Sequence, residues 1–98
     1  MAKIILNDGL TLFEKIVGNG TDTIDPASIA ASGTATADIT VTGAALGDYV
    51  MVAAPYDLQG LVCTAYVSAA DTVTIVLFNP TAGAVDLASG DWKVKVMR

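Results

Sequence analysis

The side chains of this 98-residue chain that could do chemistry are nine aspartates, one glutamate, one cysteine, three tyrosines and one tryptophan; there is no histidine. Without an imidazole there is no Ser-His or Cys-His pair and no histidine ligand for a metal, which removes most hydrolase arrangements. Cys63 has no second cysteine to pair with. It lies within an apolar strand pattern with nothing beside it to stabilise a thiolate, so it reads as a small buried hydrophobe. Asp8, Asp22 and Asp25 could offer oxygens to calcium, but their spacing is not that of an EF-hand, and its closing glutamate is missing. Gly18-Asn19-Gly20 runs into Thr-Asp-Thr-Ile-Asp-Pro where a phosphate loop would need Gly-Lys-Ser/Thr and a helix. The remaining aspartates stand singly in turns, with no sign of the paired carboxylates of a glycosidase. The expectation is therefore no enzyme, and no catalytic, metal or cofactor site. The aromatics remain: Tyr49, Tyr56 and Tyr66 are candidate exposed contacts, able to stack on the apolar faces of sugars, while Trp92, alternating with Val94 and Val96, reads as core.

Charge and composition narrow the partners. The net charge is −5, and the five cations, Lys3, Lys15, Lys93, Lys95 and Arg98, lie in the two terminal regions. So sparse a set cannot neutralise a row of phosphates, so no nucleic-acid partner is expected. No apolar run approaches the roughly 20 residues needed to span a bilayer, so no membrane partner is expected either. MAKIILNDGLTLF is interrupted by Asn7, Asp8 and Gly9 and does not read as a signal peptide, which points to synthesis in a cytosol-like compartment. Hydrophobic residues make up 53% of the chain and charged residues 15%. A domain this small exposes much of its surface, so part of that apolar content should lie outside and invite a partner or a second copy.

These residues are positioned by short strands. Residues 1–33 read as an N-terminal arm and linker, in which KIIL and LFEKIV are each a short strand or a helical turn. Gly18 to Gly33, rich in Gly, Ser, Thr and Asp, reads as a connector, with a short helix opening at Asp25-Pro26 as the alternative. Residues 34–98 form the body. TATADITVT turns Ala35, Ala37, Ile39 and Val41 to one face and threonines to the other. DYVMVAA opposes Val50 and Val52 to Tyr49 and Met51. Leu61, Cys63, Ala65 and Val67 share a face and lead through Ala70-Asp71 to Val73, Ile75 and Leu77 in a hairpin. WKVKVM closes the series, its lysines, with Met97, marking a solvated face or a guarded edge. The fold class is all-β: a small antiparallel β-sandwich, jelly-roll-like or a partial barrel, with an N-terminal arm. Five strands cover a core poorly, so the arm or a neighbouring subunit is expected to complete the second sheet or cap its edges.

The segments DPASIA, TGAALGD, AYVSAADTV, NPTAGAVDLASG and WKVKV, spread over Asp25 to Val96, resemble the small head decoration (cement) proteins of tailed bacteriophages, encoded near the major capsid protein. The first 24 residues depart from that pattern. The resemblance implies a β-sandwich that forms a homotrimer on the outer capsid surface of the virion, made in the host cytoplasm, binding the major capsid protein and stabilising contacts between capsomers. It implies no enzymatic activity. On this reading the arm would hold apolar anchors for the capsid, with Ile4, Ile5, Leu6, Leu12, Phe13 and Ile16 as the candidate contacts. The alternative is a module of a phage tail or head fibre that binds host glycans through Tyr49, Tyr56 and Tyr66.

Overall fold

The computed structural model describes residues 15–98 in full and, of the first fourteen, the backbone of Ile4–Ile5 and Thr11–Phe13. Those two short strands, β1 (Ile4–Ile5) and β2 (Thr11–Phe13), pair antiparallel. The six further strands are β3 (Ile16–Ile24), β4 (Thr34–Thr40), β5 (Tyr49–Ala53), β6 (Val62–Ala69), β7 (Thr72–Phe78) and β8 (Gly90–Met97). They form two antiparallel three-stranded sheets, β3-β8-β5 and β4-β7-β6, with no helix among the described residues. The all-β sandwich is thus what forms, as two separate sheets and not a closed barrel.

The alternation seen in the sequence sets which side chains fill the space between the sheets. Ile39 and Val41 in and after β4, Val67 of β6, Val73, Ile75 and Leu77 of β7, and Trp92, Val94 and Val96 of β8 make the buried core, joined by Ile29, Leu61, Val85 and Leu87 from the connections. Burying each such aliphatic side chain stabilises the fold by about 1.5–3 kcal/mol, and this is the main term holding the sheets together.

One reading of the sequence changes and one pair of alternatives is decided. Ile16–Ile24, which reads as the end of the arm and the start of a connector, is a strand along one edge of the body, paired with β8 from Ile16↔Met97 to Ile24↔Gly90 with a shift of register between Ile16 and Gly18. The anticipated completion of the second sheet therefore comes from within the first 33 residues. The residues that follow form no helix; Ile29 instead makes a reciprocal backbone bridge with Val85 and is buried. Second, β8 lies between β3 and β5 and is no edge. Its lysines mark the solvated face, while Met97, in register with them, is buried.

Glycines in β3 have a packing reason. A Cβ on Gly20 would lie 2.7 Å from Ile39 Cγ2, 2.9 Å from Val41 Cγ2 and 3.0 Å from the Thr40 carbonyl oxygen. The Gly-Asn-Gly run thus lets β3 close onto β4 across the open side of the sandwich. Gly20→Ala is expected to destabilise the protein by about 1–3 kcal/mol through overpacking. Urea denaturation checks this, and a variant as stable as the parent would show that the two strands part at no cost.

The connections are held by side chains. In the β6–β7 turn Asp71 takes the left-handed conformation at φ 61°, and its carboxylate accepts the Gly43 N–H at 2.8 Å, tying the hairpin to the loop after β4. After β7 the chain turns at Asn79, which is completely buried and bonded to both neighbouring segments.

Candidate interaction surface

Each candidate residue now has a place. Leu6 lies outside the described residues, as do the side chains of Ile4, Ile5, Leu12 and Phe13, whose backbones belong to β1 and β2. Ile16 opens β3, half-buried and opposite Met97. Tyr49 is 63% exposed on the outer face of β5, and Tyr66 is 52% exposed on the outer face of β6. The two belong to different sheets and, lying on outer faces, point away from one another. Tyr56 is half-buried. It folds back from its loop so that its hydroxyl donates to the Ala88 carbonyl at 2.6 Å and accepts from Trp92 Nε1 at 3.3 Å, and its ring meets the indole edge-on at 5.9 Å. The three tyrosines therefore form no common platform for a sugar. Tyr56 completes the surroundings of Trp92, because a buried indole N–H requires an acceptor.

The surfaces offered to a partner are the outer faces of the two sheets. On β4-β7-β6 the register lays out rows of Thr34, Phe78 and Val62, then Thr36, Val76 and Thr64, then Asp38, Thr74 and Tyr66. Val62, Tyr66 and Phe78 are large and exposed. This face carries one charge, Asp38, and that carboxylate accepts the Thr74 hydroxyl at 2.7 Å. Rows of β-branched and aromatic side chains on a flat antiparallel face suit packing against another protein surface.

The outer face of β3-β8-β5 differs in charge. Its rows are Thr23 with Asp91; Thr21, Lys93 and Ala53; Asn19, Lys95 and Met51; and Ile16, Met97 and Tyr49. Small side chains at Thr21 and Ala53 leave a shallow trough of about 500 Å³ across the three strands. Met51 is 60% exposed at its margin.

At one end of the sandwich Asp48 and Arg98 make a paired, two-bond contact, Nε to Oδ1 and Nη2 to Oδ2, each 2.8 Å. The guanidinium holds the Asp48 carboxyl below the usual carboxylate range, assisted by the Ala45 N–H, and the carboxylate in turn raises the arginine. This pair fastens the loop before β5 to the residue after β8 and is structural. Cys63 sits half-buried on the inner face of β6, and burial pushes its thiol up, away from a reactive thiolate. Among the described residues no three His, Cys, Asp or Glu side chains are grouped to hold a metal ion, and no helix is long and apolar enough to cross a membrane.

The sequence points to the exposed Tyr49 and Tyr66 but not to the trough, because Asn19 and Thr21 read as part of a connector. Their alternation with Gly18 and Gly20 was the available signal. Compared with known protein families, curated proteins and solved structures, the chain matches none.

Proposed function

We propose that this chain is a virion structural protein, a decoration (cement) protein that binds the outer surface of a tailed-phage head as a homotrimer and fastens neighbouring copies of the major capsid protein. The resemblance of residues 25–96 suggests it, and one structural observation supports it most: large apolar side chains are exposed on the outer faces of both sheets, Tyr49 and Met51 on one and Val62, Tyr66 and Phe78 on the other. A body with two such faces can meet a second copy with one and a shell with the other. Modest contacts repeated in each subunit of an oligomer then add up to firm attachment.

The test is light scattering of the purified chain, followed by co-sedimentation with capsid shells that lack it. A trimer that saturates the shells is the expected result. A monomer that ignores shells and binds a glycan array would overturn the reading in favour of a fibre module. The arm is tested by removing residues 1–14. The cut stops there because Lys15 exchanges backbone hydrogen bonds with Arg98 and β3 begins at Ile16. The truncated chain is expected to fold and to bind shells about tenfold or more weakly, since lost contacts are multiplied across the oligomer. Undiminished binding would remove the arm from the interface.

A further inference from the structure

We propose that the trough on the outer face of β3-β8-β5 is a docking site for an extended acidic segment of a protein partner, whose carboxylates, two residues apart, meet Lys93 and Lys95. For the surface that carries this segment, the proposal rests on the decoration reading.

Lys93 and Lys95 project from the same face of the central strand, about 6.8 Å apart by the strand repeat. An opposite charge directly across the sheet from a lysine is stabilising. Here the cross-strand neighbours are Thr21 and Ala53 for Lys93, and Asn19 and Met51 for Lys95, so neither ammonium has an acidic partner among the described residues. Asp91, two residues before Lys93 on the same face, accepts the Thr23 hydroxyl at 2.6 Å and makes no ion pair with Lys93, leaving Lys95 two repeats from it. Two like charges side by side repel until an anion comes between them. They also form a positive island on a chain of net charge −5, which steers an acidic partner to this face and away from the others.

The trough selects the form of the partner. An extended chain repeats every two residues with the same spacing as β8, so alternate carboxylates match the two ammonium groups in register. Asn19 and Thr21 supply hydrogen-bonding groups on one flank, while Met51 and Ala53 form an apolar flank for the methylene stems of the two acidic side chains. That apolar flank favours a polypeptide over an anionic sugar.

The experiment has two arms. In the first, the peptide acetyl-Leu-Glu-Val-Glu-Thr-amide is titrated into the ¹⁵N-labelled full chain. Amide shifts are expected at residues 19–21, 51–53 and 93–95, with affinity falling roughly tenfold in the exposed-site variant K93E/K95E or between about 50 and about 300 mM salt. No shifts, shifts elsewhere, an unaffected double variant, or sialyllactose moving these amides where the peptide does not, would each overturn the proposal. The second arm measures shell binding. If the native chain binds shells and K93E/K95E binds them equally well, the trough is not the shell contact and the decoration reading stands. If the peptide titrates the trough while the native chain ignores shells, the decoration reading fails and the acidic-segment site survives it.

Discussion

Replacing Trp92 with alanine is expected to lower the unfolding free energy by about 3–5 kcal/mol, the range for removing a buried large aromatic from a packed core. The indole is 1% exposed on the central strand of its sheet, in the same row of inner positions as Val94 and Val96. It borders a cavity of about 130 Å³, lined also by Ile24, Ala35, Ala37, Ile75 and Leu77. The space left by the ring would join that cavity and not be refilled, because the nearest inner residues on β4 are alanines. A domain of this size has only about 5–15 kcal/mol in total, so the variant stands at the edge of folding. Trp92→Phe separates the causes. It keeps most of the ring and loses the long 3.3 Å bond to Tyr56, so its cost is expected to be about 1–2 kcal/mol. Urea unfolding followed by far-UV circular dichroism measures both, since the fluorophore itself is removed. A loss below about 1 kcal/mol for the alanine variant would mean that the two sheets are held together elsewhere.

How much of this arrangement was legible depends on which force acted on each segment. The strands from Thr34 onward were readable because every second residue is apolar or small, and burial between two sheets enforces a period of two. Trp92, Val94 and Val96 were placed in the core on that basis, and they are there. β3 was hidden because Gly18, Asn19, Gly20 and Asp22 are turn formers by local propensity. What makes them a strand is pairing along β8, together with the close approach to Ile39 and Val41 that only glycine permits, and both are tertiary facts. The bonding of Tyr56 was hidden for a related reason. Beside Pro55 in a loop it reads as exposed, and nothing local reports that a distant indole needs its hydroxyl. The trough combined both difficulties, since its lysines were visible in the sequence while the polar flank facing them belonged to the hidden strand.

Asn79 carries the second large effect, and it arises from hydrogen bonds. The residue is fully buried, and every hydrogen-bonding position of its side-chain amide is used. Nδ2 donates to the Ile29 and Gly83 carbonyls, each at 2.8 Å, while Oδ1 accepts the Thr81 N–H at 2.9 Å and the Thr81 hydroxyl at 2.6 Å. Its backbone donates to Gly33 and accepts from Ser32. The one side chain therefore joins the segment before β4 to the loop after β7. In Asn79→Leu the branching at Cγ is kept and the bulk increases, while the Thr81 N–H loses its acceptor and the Gly83 carbonyl loses a donor. The net loss of hydrogen bonds plus the cost of a buried orphan group gives an expected destabilisation of about 2–4 kcal/mol. Asn79→Asp goes further, because it sets a carboxylate against two carbonyl oxygens in a site without a cation. That carboxyl would be raised in the folded state above its unfolded value of about 3.9. Stability of this variant should then be highest below about pH 4, where the protonated acid can still donate one bond, and should fall as pH rises towards the raised value. Ordinary exposed carboxylates show no such fall. Urea midpoints for Asn79→Asp between about pH 3 and pH 7, taken against the native chain, measure it. A difference independent of pH would mean that the site admits water or rearranges around the charge, and that Asn79 is not the rigid link its four side-chain contacts describe.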